Sequence, residues 1–266
     1  MADFGGRGFK IHYVEQGAGP PVLFAHGIVM DHTMYAPQFE ELPDTHRCIA
    51  WDMRGHGNSE CPSGPWSMQD IVVDLVRFIE ATNAAPCHLV GMSTGGMAAL
   101  RLAIQREDLL RSLVLIDTDA AAEPPESAEL YRGFQASIAA EDGVSEELAR
   151  NTLPLLYGSA YIEREPEAIE IHVDRVCDMP ATAVIEGLRA LIGRPSLTDR
   201  LADIRVPALV IHGEEDAAIP VDRAVGMASV IPGAELERIA GAGHTTPLEA
   251  PDAVSRALMA FFNRVD

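Results

Sequence analysis

Short apolar, β-branched runs alternate along the chain with stretches whose apolar residues recur at helical spacing, the pattern of a parallel sheet with crossover helices. Runs bounded by Gly, Pro or Asp predict seven strands, at Phe9–Glu15, Pro21–His26, Arg47–Asp52, Cys87–Gly91, Ser112–Asp117, Val206–His212 and Ala234–Ile239. The clearest helix opens at Ser67, whose side chain can cap free amides while Asp70 supports the same turn; Ile71, Leu75, Phe78 and Ile79 then form a stripe that faces the sheet. Thr94–Arg106 and Ala253–Arg264 read as two further packing helices. The fold class is α/β.

Between Asp117 and Val206 the strand signal disappears. Helical patterns at Ser127–Ala140, Glu146–Leu156 and Glu167–Val176 replace it, broken at Pro154, Pro166 and Pro180. A structureless loop of this length is improbable in a compact domain, so residues 120–195 are expected to form a helical cap (lid). It would lie over the C-terminal ends of the strands, where open α/β sheets bind ligands. Residues 1–119 and 196–266 then form the core.

Composition narrows the classes. The chain has 266 residues, of which 47% are hydrophobic and 23% charged, ordinary for one domain with a substantial core. Its formal charge of −20 repels phosphate backbones and anionic headgroups, which argues against nucleic acid or membrane partners. Cys48, Cys61, Cys87 and Cys177 have no metal-type spacing and make no disulfide framework, so they read as reduced thiols. The start, MADFGGRGFKIHYVEQG, shows no basic-then-apolar leader pattern and no run long enough to span a bilayer. A cytoplasmic protein is expected, and a homodimer is compatible with it.

The most specific chemical signal is HLVGMSTGG, residues 88–96: an apolar strand runs into Gly91, Met92, Ser93, Thr94 and Gly95 and then into a helical pattern. That is G-x-S-x-G in strand-turn-helix context, where the serine sits on a sharp, strained turn. Gly91 and Gly95 supply the small residues that let such a turn close, and Ser93 is pushed toward the cleft beside the positive end of the following helix.

With these residues the sequence resembles the α/β-hydrolase superfamily, in its cap-bearing serine esterase and lactonase branch that includes 3-oxoadipate enol-lactonases. Four matches occur in order. HGIVMD at 26–31 resembles the oxyanion loop, WDMRGHGNS at 51–59 the turn after the next strand, and GMSTGG the nucleophile elbow. HGEEDAAIP at 212–220 with GAGHTTPLEAP at 241–251 resembles the acid and base loops. The resemblance implies a mostly parallel central sheet flanked by helices, with the cap inserted after the sixth strand. A serine at the elbow excludes the branches that place an aspartate there, which implies acyl transfer to water.

Serine needs a base. Of the nine histidines, His244 is the best placed, in a Gly-rich loop between the last strand and the last helix. His26 and His56 read as loop-holding residues and His212 as structural. The base needs a carboxylate: Asp216 resembles the family's acid and completes the chain order Ser93, Asp216, His244. Glu214, Glu215 and Asp117 remain competitors. The resemblance and the elbow geometry assign oxyanion donors to the main-chain N–H groups of Ile28 and Thr94. His32 and Met92, beside these loops, are candidates for substrate contact.

No metal-ligand cluster, P-loop or dinucleotide motif is present, so no cofactor and no metal are implied. The leading reading is hydrolysis of a small carboxylic ester or lactone. The alternatives are a carbon–carbon bond hydrolase of ring-cleavage products, whose dicarboxylate substrates want cationic pocket residues, and a non-catalytic small-molecule receptor. Acidic residues outnumber arginines in 120–195, which has no lysine, so an uncharged substrate is expected unless Arg54 or Arg189 pairs with a substrate carboxylate.

Overall fold

The computed structural model describes residues 8–266; residues 1–7, where the reading of the leader pattern begins, lie outside them. Its strands are β1 (Tyr13–Gln16), β2 (Pro21–Ala25), β3 (Arg47–Trp51), β4 (Cys87–Met92), β5 (Leu110–Ile116), β6 (Ala208–Gly213) and β7 (Glu235–Ile239). Between and after them lie α1 (Gln38–Glu41), α2 (Met68–Ala81), α3 (Thr94–Gln105), α4 (Pro125–Glu141), α5 (Glu146–Leu156) and α6 (Ser159–Arg164). The rest are α7 (Pro166–Cys177), α8 (Ala181–Ile192), α9 (Val221–Val230), α10 (Thr246–Glu249) and α11 (Pro251–Val265). No helix among the described residues is long and apolar enough to cross a membrane.

The sheet order is β1-β3-β2-β4-β5-β6-β7, with β1 antiparallel to β3 and every other pair parallel. The chain moves from β2 outward to β3 and then back across to β4. This reversal opens a crevice at the C-terminal ends of β2 and β4, the usual binding position in open α/β sheets. β4 is buried along its whole length, as a central parallel strand covered on both faces should be.

Local chemistry sets the helix starts. Ser67 caps α2 by accepting the Asp70 N–H at 3.3 Å, and the Asp70 carboxylate accepts the Ser67 N–H at 2.9 Å, a reciprocal box. The predicted stripe of Ile71, Leu75, Phe78 and Ile79 is fully buried.

Three expectations need correction. The predicted first strand is shorter than its apolar pattern: Ile11 makes an isolated bridge and the strand begins at Tyr13. The helical insertion follows the fifth of the seven strands rather than the sixth that the resemblance implies. Pro154 does not break its helix either; α5 runs through it to Leu156. So near the C-terminus, the missing N–H costs a single bond to the Arg150 carbonyl, and the helix stops two residues later.

Helices α4 to α8 occupy the insertion between β5 and β6, and His172 on α7 is packed inside it, edge-on to Tyr157. Its Nε2 is buried without a partner. Burial, with Arg175 adding to it, pushes the imidazole down to about 4. The unfolded chain takes up that proton near 6.5 and the folded chain only near 4, so His172 favours the fold fully above pH 6.5 and opposes it progressively as pH falls toward 4. His172→Leu should therefore gain stability relative to the parent as pH drops from 6.5 to 4, by about 3 kcal/mol at the lower end. Thermal melts of both proteins across that range check this; a difference in Tm independent of pH would contradict it.

Candidate active site

Ser93 ends the crossing from β4 into α3 with φ 49° and ψ −117°, a conformation costly for any residue with a Cβ. Its surroundings over-determine it. The Ser93 N–H donates to the Ile116 carbonyl at 2.9 Å, and the Ser93 carbonyl accepts from Met97 N–H at 2.8 Å and Thr118 Oγ1 at 2.7 Å. The two flanking glycines are needed for space: a Cβ on Gly91 would lie 2.6 Å from the Gly95 carbonyl oxygen, and one on Gly95 would overlap the Ala25 carbonyl. α3 thus packs directly against the end of β2.

Ser93 Oγ lies 3.0 Å from His244 Nε2, and His244 Nδ1 lies 2.7 Å from Asp216 Oδ2. The carboxylate can only accept, so Nδ1 carries the proton and Nε2 is free to take one from the serine. Asp216 is fixed by the N–H groups of Ala218 and Ile219, both at 2.8 Å to Oδ1. Burial alone would lower His244 and raise Asp216. The opposite charges and their hydrogen bond prevail: the imidazole lies above its ordinary value and the carboxyl below its own.

The competing acids are elsewhere. Glu214 and Glu215 are exposed, and Glu214 pairs with Arg238 at 2.8 Å. Asp117 lies behind the acid, accepting from Gly213 N–H at 2.9 Å and from Thr246 N–H and Oγ1 at 3.1 and 2.7 Å. Burial and the Asp216 charge raise its carboxyl.

His26 and His56 do hold loops. His26 accepts the Met53 N–H at 2.8 Å through Nε2 and donates to the Gly27 carbonyl at 2.7 Å, and His56 donates to the Arg54 carbonyl at 2.9 Å. In the loop that His26 anchors, Ile28 lines the cavity above Ser93. Thr94 is the first residue of α3, so its N–H has no acceptor within the helix.

The two candidate substrate contacts are placed differently. His32 turns away to Asp52, donating from both its N–H and Nδ1 at 2.8 Å, because a buried carboxylate shared with His12 needs those donors. Met92 packs beneath the elbow, 1% exposed, since strand alternation sends it inward. Neither lines the cavity.

Sequence reasoning took His212 only as structural and passed over Glu249. His212, 3.2 Å from Asp216 Oδ2 through Nε2, touches the acid as well as donating to the Ile219 carbonyl at 2.8 Å. Glu249 is buried and accepts from Gly158 N–H at 2.9 Å and Gly243 N–H at 2.8 Å through one oxygen. Its other oxygen accepts from Thr245 N–H at 3.0 Å and Thr245 Oγ1 at 2.9 Å. It binds both neighbours of His244 to the insertion. Its place five residues after His244 in GAGHTTPLEAP was the available signal.

A cavity of about 370 Å³ opens over Ser93 and His244, walled mainly by apolar side chains. Arg54 and Arg189 are not among them. Arg54 is paired with Asp74 at 2.5 Å and sits against Phe9 and Trp66, and Arg189 pairs with Glu186 on the surface. The cavity arginines are Arg194, held by Glu123 and the Ala121 and Leu191 carbonyls, and Arg223, 3.7 Å from Asp119.

Three groups among the described residues offer atoms close enough for a metal: His12, His32 and Asp52; His46, His88 and Asp266; Asp117, His212 and Asp216. In each the side chains already pair with one another or with backbone, and an ion would have to displace those bonds.

The alpha/beta hydrolase family profile matches residues 22–257. The chain belongs to the alpha/beta hydrolase family. A protein of Azorhizobium caulinodans named as a carbamate hydrolase, RutD, is 28% identical to this alpha/beta hydrolase over 262 residues, covering 96% of each. The structure of a thermophilic esterase from Thermogutta terrifontis superposes with a TM-score of 0.90 at 31% identity, over 97% of this chain and 94% of that one. The enol-lactonase of Burkholderia xenovorans gives 0.88 at 26%, over 96% and 97%.

Glu249→Ala would strand three buried backbone N–H donors, those of Gly158, Gly243 and Thr245, while Thr245 Oγ1 keeps the Leu156 carbonyl. Since an unpaired buried donor costs roughly 1–3 kcal/mol, the variant of this alpha/beta hydrolase should lose about 3 kcal/mol or more in urea unfolding. Glu214→Ala should lose under about 1 kcal/mol, as for other exposed pairs. Equal losses would remove Glu249's role as the clamp.

Proposed function

We propose that this hydrolase cleaves uncharged carboxylic esters or lactones through an acyl-enzyme on Ser93. The observation that carries the reading is the continuous set of hydrogen bonds from Ser93 Oγ through His244 to Asp216, facing an apolar cavity.

In this reading Ser93 Oγ attacks the acyl carbon as His244 Nε2 takes its proton. The negative charge that develops on the acyl oxygen is met by the main-chain N–H groups of Ile28 and Thr94, with the N-terminal end of α3 beneath it. His244 then returns the proton to the leaving alkoxide, and a water activated the same way releases the acid. Asp216 keeps the proton on Nδ1 and stabilises the imidazolium.

A dicarboxylate product of ring cleavage fits less well. Arg194 is occupied by Glu123 and two carbonyls, and Arg223 faces Asp119. A carbamate is the nearest competing electrophile, suggested by the RutD-named relative; the same serine chemistry would serve it, but its small polar body fits a largely apolar cavity poorly.

Ser93→Ala should lower ester turnover by roughly a million-fold, the usual consequence of removing a triad nucleophile. It should leave Tm unchanged, because the hydroxyl's one partner among the described residues is His244. Retention of more than a few per cent of activity would end the assignment.

The pH dependence tests the acid. His244 must be neutral to act as base, and Asp216 holds it above its ordinary value, so kcat/KM should rise through an ionisation above 6.5. Asp216→Asn should cost about ten-thousand-fold and move the remaining activity's midpoint downward, because burial then acts unopposed by that charge. Asp117→Asn should do far less. If the order were reversed, Asp117 would be the orienting acid.

A further inference from the structure

Polar and apolar residues are segregated along the cavity. Its charged side chains, Asp119, Glu123, Glu126, Arg194 and Arg223, come from where the insertion leaves and rejoins the core, from the start of α4 and from α9, and Ser127 and Tyr131 in the first two turns of α4 extend this polar end. The part built by the second half of α4, the turn after it, α5, α7 and α8 presents Phe134, Ile138, Val144, Leu148, Val176 and Leu188. Thr152 is the polar side chain in that part, and its hydroxyl already donates to the Ala149 carbonyl at 2.7 Å.

A charged or hydrogen-bonding group placed there would lose its water and find no partner, at a cost of roughly 1–3 kcal/mol or more. A hydrocarbon chain instead adds buried apolar area, about fourfold in affinity for each methylene fully enclosed.

Size limits the chain. A cavity of about 150 Å³ takes one benzene ring, so 370 Å³ holds the reacting ester group together with an aliphatic chain on the order of eight carbons.

We propose that the insertion forms an acyl-chain subsite and that the enzyme's substrates are esters or lactones of unbranched aliphatic acids of about six to ten carbons. This rests on the reading of Ser93 as the nucleophile. It adds what the triad cannot supply, namely which acyl group is preferred. With a chain in this subsite, the carbonyl carbon lies at Ser93 and the leaving group at the polar end of the cavity.

The test is a p-nitrophenyl ester series from acetate to palmitate, with the succinate half-ester as the charged comparison. kcat/KM should rise at least tenfold from acetate to octanoate, fall again at palmitate, and be lower for the succinate than for the butyrate ester. A maximum at acetate or propionate, or a preference for succinate, overturns the proposal.

Ala149, buried in the wall on α5, supplies the mutational arm. Ala149→Phe should shorten the subsite and lower the octanoate-to-acetate ratio at least tenfold. Should it fold poorly, alkyl phosphonate inactivators report on the unaltered enzyme: the octyl compound should modify Ser93 at least tenfold faster than the methyl compound, and equal rates overturn the subsite. Failure of both phosphonates to modify Ser93 would instead overturn the nucleophile assignment, so the two failures are distinguishable.

Discussion

The site depends on one close approach: the start of α3 against the end of β2. The Gly95 position touches the Ala25 carbonyl, and this contact lets the chain reverse at Ser93 in a backbone conformation that a side chain resists. Three hydrogen bonds to Ser93 hold the turn, two of them to β5 and the residues that follow it. The position of Ser93 and of the start of α3 in the crevice follows from that turn. The loop after β2 is carried alongside Ser93, and the first N–H of α3 points where a developing anion would sit. The strain is local, but three central strands share its support.

A second constraint is charge in a sealed space. Asp117, His212, Asp216 and His244 are all buried within reach of one another. Two ionised carboxylates so close would repel strongly in a medium of low polarity. The environments separate their roles. Asp216 receives two N–H bonds and two imidazoles and stays ionised, whereas Asp117 is pushed toward the neutral form. Asp117 also joins β6 to Thr246, so the carboxylate that does not face His244 still secures the loop that carries it.

Much of this was legible in the sequence because it is enforced locally. G-x-S-x-G announces its turn because no larger residue fits at Gly91 or Gly95, and Ser67 with Asp70 announces the α2 start because both partners lie within one turn. The order of Ser93, Asp216 and His244 was readable, as was the alternation of strands and helices. Long-range pairings were not. Asp52 could not be seen to claim His32, nor Asp74 to claim Arg54, because those partners lie 20 residues away and meet only after folding. Met92 does not line the cavity, because the face of a strand that reaches the crevice depends on the next layer of packing. Arg194 and Arg223, which do reach the cavity, carry no motif at all.

Glu249 shows how far the insertion and the core act as one unit. Its carboxylate binds Gly158, between α5 and α6, on the same oxygen as Gly243, the residue before His244. Thr245 Oγ1 shares its one proton between Glu249 and the carbonyl of Leu156, 3.1 Å away, adding a second tie between the His244 loop and α5. Moving α5 outward would break both ties, and α5 contributes Leu148 and Ala149 to the cavity wall. The helices that surround a substrate therefore also hold the histidine that would activate the serine. A displacement of α5 therefore reaches His244 through the two residues that flank it. A rigid opening of the insertion as a whole is thereby disfavoured against smaller rearrangements of α4 and α8, which make no hydrogen bond to the His244 loop among the described residues.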